Sequence, residues 1–185
     1  MPEAAPRWSP TTISGVLRAH ATAHGDERGA FSELWRAAWT QPFSDESFVQ
    51  LNLSRSLARV LRGVHAHRHQ ADLWMVAEGS GVAALVDLRG LLEDPSGQPM
   101  SELFQLAPGD QLYIPRLVAH GFYARTALTL VYLVSNEYDG SDELGFAWDD
   151  PDAAVAWPDR APILSERDRA NPPLRELVAR LRAES

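Results

Sequence analysis

The chain contains no cysteine in its 185 residues. Disulfide scaffolds, thiolate metal sites and cysteine nucleophiles are therefore excluded. It also contains no lysine, so all 17 basic residues are arginine. That removes Schiff-base chemistry and the phosphate-gripping lysine of a Walker loop. No apolar run approaches the roughly 18 residues that would cross a bilayer as a helix. The opening ten residues, MPEAAPRWSP, lack the basic segment and apolar core of a secretory signal, so the cytoplasm is the expected compartment. No basic run offsets a formal charge of −8, and neither nucleic acid nor an anionic membrane is an expected partner. Single arginines can still gather around a phosphate.

What remains is an ordinary soluble composition, 45% hydrophobic and 23% charged, at the length of one domain. Short runs rich in Val, Leu, Tyr and Trp predict strands at Phe48–Leu53, Ala58–His65, Leu73–Ala77, Val82–Leu88, Gln111–Ile114 and Leu128–Val134. Gly, Pro, Asp and Ser punctuate them, as in Glu78-Gly79-Ser80-Gly81 and Pro108-Gly109-Asp110. Ser32–Ala38 fits strand and helix equally. A helix is predicted after Pro172-Pro173, where Leu174, Leu177, Val178 and Leu181 recur at helical spacing. The expectation is one all-β domain of jelly-roll type. Residues 1–25 form an arm and strand, 26–160 the core, and 161–185 a tail with a helix.

Four of the six histidines fall in two places. If the strand from Ala58 continues, His65, His67 and His69 share one face. His120 follows Pro115 behind another strand. For His20, His24 and His69 a solvated or hydrogen-bonded side chain is the plain expectation. His65-x-His67, four residues, Asp72, six residues and Gly79 resembles the first cupin motif, with Asp in place of Glu. Gly109, five residues, Pro115 and then His120 resembles the second, with Leu117 where a glycine is usual. Together His65, His67, Asp72 and His120 offer three imidazoles and a carboxylate to one divalent metal such as Fe, Mn, Ni or Zn.

A closer resemblance runs through most of the chain. It is carried by Asp26-Glu27-Arg28-Gly29-Ala30-Phe31-Ser32-Glu33, Phe48-Val49-Gln50-Leu51-Asn52-Leu53-Ser54 and Val60-Leu61-Arg62-Gly63-Val64-His65. Val86-Asp87-Leu88-Arg89, Ala119-His120-Gly121-Phe122, Tyr132 with Tyr138, Trp148-Asp149-Asp150-Pro151 and Leu164-Ser165-Glu166-Arg167-Asp168 continue it in order. The set resembles the dTDP-4-dehydrorhamnose 3,5-epimerase family, a metal-free branch of the cupin jelly rolls.

The resemblance implies a nucleotide diphospho-4-keto-6-deoxyhexose as substrate and no cofactor. It implies His65 as base, Asp168 as the group that orients it, and Tyr132 as acid on the other face. By the same resemblance Arg28 and Arg62 hold the diphosphate, and Glu33, Gln50 and Asn52 make polar contacts. Phe31 and Tyr138 lie near the nucleotide base, and His120 lines the sugar pocket. Family members are usually homodimers, which implies a second copy here, with Phe31 or Arg28 reaching the partner's pocket.

One family position departs. The family's lysine, credited with steadying the enolate oxygen, falls on Asp72. A full charge at 4 Å is worth about 4 kcal/mol at an effective dielectric near 20, so reversing its sign matters. Three readings follow. The chain is a divergent epimerase acting at C3, C5 or both, a metal enzyme using His65, His67, Asp72 and His120, or a binding protein without turnover.

Overall fold

The computed structural model describes residues 6–39, 43 and 46–184; residues 1–5 of the expected arm lie outside it. Two antiparallel sheets face each other. One has six strands in the order β1 (Ser9–Pro10), β2 (Leu17–His20), β10 (Asp110–Ile114), β7 (Asp72–Glu78), β12 (Leu128–Val134) and β5 (Gln50–Ser56). The other has five, in the order β13 (Leu144–Gly145), β6 (Leu61–Ala66), β11 (Val118–Ala124), β8 (Gly81–Asp87) and β9 (Met100–Leu106). A separate hairpin joins β3 (His24–Asp26) to β4 (Gly29–Phe31). Helices α1 (Arg89–Glu93), α2 (Glu166–Arg169) and α3 (Leu174–Ala183) complete the chain. This is the expected cupin-type jelly roll.

Alternation along the strands decides what fills each layer. Trp74 and Val76 of β7, Leu128 and Leu130 of β12, Leu85 of β8 and Phe122 of β11 meet between the sheets. Leu73, Met75, Tyr113 and Leu133 point the other way and are covered by Trp8, Leu34, Trp35, Phe43 and Phe48. On the far side of the five-stranded sheet, Val64, Val86 and Ala119 are covered by Leu174, Leu177, Val178 and Leu181 of α3, at the predicted helical spacing. Ser32–Ala38 is neither strand nor helix; its Leu34 and Trp35 pack as a loop cover over the sheet instead.

Two departures from the predicted strands bear on the pocket. The strand expected from Ala58 begins at Leu61, since Arg59 sits at φ +69°, and it ends at Ala66 rather than running on through His69. Val118–Ala124 is a full strand, β11, buried along its whole length. Its continuous burial erases the alternation that would have marked it.

Candidate active site

A cavity of about 260 Å³ opens between the sheets. Its walls include Gln50, Asn52 and Ser54 from β5, Leu130, Tyr132 and Val134 from β12, and Asp72 and Trp74 from β7. The five-stranded sheet contributes Arg62 and His65 from β6 and His120 and Phe122 from β11. Strand period explains the set: every second residue of β5, β7, β11 and β12 faces inward. His65 stands directly opposite His120 in the β6–β11 ladder. The strands close there because Gly63, at φ +130°, faces Gly121; a Cβ on Gly63 would stand 2.6 Å from the Gly121 Cα.

His65 and Asp168 meet across the chain. His65 Nε2 lies 2.6 Å from Asp168 Oδ1, and the carboxylate comes from α2, whose first turn is capped when Asp168 N–H donates to Ser165 Oγ at 3.0 Å. Burial opposes ionisation of Asp168, but the bond to His65, the Ser165 hydroxyl and the Arg167 charge outweigh it and hold the carboxyl below its ordinary range. An ionised Asp168 keeps the proton of His65 on Nε2, so Nδ1 is the nitrogen able to accept one. Tyr132 stands on the opposite sheet. Burial and the negative charge of Asp72 push its phenol above the usual range, against a smaller opposing effect of Arg62, so it holds its proton at neutral pH.

Deeper in the cavity His67, Asp72 and His120 cluster, all buried. Gln70 Nε2 donates to Asp72 Oδ1 at 2.7 Å and Trp74 Nε1 to Asp72 Oδ2 at 3.2 Å. His120 Nε2 faces Asp72 Oδ2 at 3.5 Å. Burial outweighs the attraction of Asp72 and pushes His120 down to about 4, so its ring is neutral. His67 is held from outside β6: Asp142 takes its Nδ1 on a backbone carbonyl at 2.9 Å. The Asp142 carboxylate accepts the backbone N–H groups of Arg68 and His69 at 2.7 and 3.0 Å. This clamp replaces the expected strand extension. It leaves His67 in the cavity and His69 at the rim.

The mouth is polar. Arg62 donates through Nε to Ser56 Oγ at 2.9 Å, and Gln50 links Asn52 Oδ1 at 2.8 Å to the Tyr138 backbone N–H at 2.9 Å. Arg167 and Glu143, which the sequence reading did not single out, pair at 2.6 Å on the cavity wall. Arg167 lies inside the Leu164–Asp168 block, which was the signal for it.

Three expected binding residues are not in this cavity. Arg28 is turned to Asp26 in the hairpin, Phe31 is 64% exposed, and Glu33 pairs with Arg36. Arg28 and Phe31 lie on the β3–β4 hairpin, which joins neither large sheet among the described residues. The four-ligand metal set is also corrected. Ligand atoms of His67, Asp72 and His120 converge, but His65 stands outside that group with Nε2 committed to Asp168. His20, expected as a plain surface residue, bonds Asp110 Oδ1 at 2.9 Å on the surface.

The profile of the dTDP-4-dehydrorhamnose 3,5-epimerase family matches residues 10–176. A protein of that name from Streptomyces griseus is 32% identical over 182 residues, covering 92% of this chain and 88% of its own. Among solved structures, the Bacillus anthracis dTDP-4-dehydrorhamnose 3,5-epimerase with TDP and PPi bound superposes with a TM-score of 0.82 at 30% identity, covering 92% of this chain and 100% of its own. A 3′-monoepimerase from Streptomyces bikiniensis in complex with dTDP-quinovose gives 0.81 at 30% identity, covering 93% and 89%.

Proposed function

The chain belongs to the dTDP-4-dehydrorhamnose 3,5-epimerase family, and from that premise we propose that it epimerises a dTDP-4-keto-6-deoxyhexose at C3, C5 or both, with His65, Asp168 and Tyr132 moving the protons. The observation that carries this reading is the His65–Asp168 contact at 2.6 Å on one wall of a cavity whose opposite wall presents Tyr132. A ketone at C4 acidifies the hydrogens on C3 and C5. His65 Nδ1 removes one as an enolate forms, and ionised Asp168 offsets the charge that appears on the imidazole. Tyr132 returns a proton to the other face. Electrons are conserved throughout, so no redox cofactor enters.

Arg62 suits a diphosphate, because its guanidinium is fixed at the pocket lining by Ser56 Oγ through Nε and by the Arg55 carbonyl through Nη2. Gln50, Asn52 and Tyr138 form a bonded polar rim suited to the nucleoside. Arg28, Phe31 and Glu33 would serve a second copy's pocket rather than their own. A homodimer is further supported by β5, an edge strand whose outer face carries Leu51 and Leu53, with Val49 just before it, each more than half exposed. Among the described residues no helix is long and apolar enough to cross a membrane. A chain without cysteine gains nothing from an oxidising compartment, and the cytoplasm is the proposed location.

The test is deuterium wash-in. Incubating the protein with dTDP-4-keto-6-deoxyglucose in heavy water should place deuterium at C3, C5 or both, read by mass spectrometry and NMR. No label above the buffer control would refute the reading for this substrate.

A further inference from the structure

The proton-transfer groups leave a buried carboxylate unexplained. Asp72 is 3% exposed, and its two oxygens receive only neutral donors, from Gln70 and Trp74. No arginine lies within ion-pair reach of it among the described residues; its only basic neighbour at that range is His120. A buried charge without a cationic partner is expensive. The His120 contact does not supply one. Its Nδ1 is engaged with the Val118 carbonyl at 3.1 Å, which an N–H must satisfy, so Nε2 presents a lone pair. That lone pair faces a carboxylate oxygen at 3.5 Å, beyond normal hydrogen-bond length.

His67 repeats the arrangement. Its Nδ1–H donates to the Asp142 carbonyl, and its ring lies 5.5 Å from that of His120. Two imidazoles are thus each fixed by Nδ1–H on a backbone carbonyl, leaving Nε2 as the donor to a metal. This is how metal-binding imidazoles are commonly oriented. One ligand atom from each of His67, Asp72 and His120 lies within 4.8 Å of the others, a span that ligands about 2.1 Å from a shared ion close with small side-chain movements.

We propose that His67, Asp72 and His120 form a binding site for one divalent transition-metal ion, with its remaining positions open to the pocket. The two-nitrogen, one-oxygen set suits Zn, Fe, Mn, Co or Ni. Open positions mark a catalytic rather than a structural site. Resting on the epimerase reading, the ion supplies the positive charge at the C4 oxygen of the sugar, on the same floor of the pocket where Asp72 alone would repel an enolate. His65 stays outside the coordination group and keeps its role as base, so metal and base coexist.

The experiment uses untagged protein stripped with a chelator and titrated with Co²⁺ alone, followed by visible absorption and calorimetry. One equivalent should bind per chain. Asp72→Asn should weaken binding by about 100-fold or more, Asp72→Glu by no more than about tenfold, and His69→Ala, on the rim, should leave it unchanged. If Asp72→Asn does not fold, His67→Gln carries the same expectation. No saturable signal in the parent protein, or folded Asp72→Asn and His67→Gln variants that titrate like it, overturns the site. Wash-in on the same samples separates the two claims. A loss of label on stripping, restored by Co²⁺, supports the charge at C4. Label at an unchanged rate after stripping overturns it and leaves the epimerase reading intact. A saturable Co²⁺ site with no label in either form overturns the epimerase reading and leaves the site.

Discussion

His65 and Arg28 are both marked by sequence for the same ligand, yet they stand in opposite surroundings. The His65 side chain is 24% exposed and fixed by Asp168, while that of Arg28 is 85% exposed and rests on Asp26 of its own hairpin. The inner pocket is assembled by sheets whose register and packing leave its side chains little freedom. The expected outer contacts Arg28 and Phe31 sit on a two-stranded hairpin that joins neither large sheet among the described residues. A hairpin of that size is not stable alone in water and needs a surface to lie on. The contrast separates proton-transfer groups held inside one chain's pocket from expected ligand contacts that lie outside it.

That separation predicts a graded set of effects. The largest is His65→Asn, which should lower kcat by about 10³–10⁴-fold, the scale of a lost general base. Asp168→Asn should cost about 10²–10³-fold in kcat with KM little changed, because the amide cannot hold the base in its working tautomer. Asp168 also links this site to stability. Its folded pKa lies below the ordinary 3.8, so its contribution is present above that pH and is lost as pH falls through the folded value. An acid-unfolding curve of Asp168→Asn should lack that component.

The outer half should respond differently. Arg28→Ala should raise KM about tenfold and leave kcat nearly unchanged, the pattern of lost uniform binding. Charging the apolar face of β5, as in the pair Leu51→Asp and Leu53→Asp, should yield monomers by light scattering and the same KM defect. Normal KM in such monomers would break the comparison.

The smallest effect on catalysis lies in the packed cluster around Tyr113, away from the pocket, where stability alone responds. Burial pushes the Tyr113 phenol up to about 12, with a further push from Glu46. Its contribution is complete below pH 10 and is lost as pH rises from 10 toward 12, about 2–3 kcal/mol in all. Tyr113→Phe should flatten that alkaline loss in urea titrations.

How far these features were legible in the sequence depended on their range. The α3 helix was plain because its four buried residues follow one period within eight positions. The His65–Asp168 pair joins residues 103 positions apart, and only the order of the matching sequence blocks, read as a family resemblance, suggested it. β11 was hidden by two-sided burial. The Asp142 clamp on His67 left no periodic trace, because a loop carbonyl and one carboxylate do the work. The four-ligand metal set failed for a similar reason: motif spacing counts imidazoles but does not say which one a distant aspartate has already taken.

The central claim is that two opposed groups in one chain move the protons. It is tested most directly by comparing deuterium exchange with epimer formation in Tyr132→Phe and His65→Asn. Tyr132→Phe should still exchange substrate hydrogen, because His65 can remove a proton and return solvent deuterium on its own face, while epimer formation falls sharply. His65→Asn should lose both. Exchange at the parent rate in His65→Asn, or equal loss of exchange and inversion in Tyr132→Phe, would contradict the account.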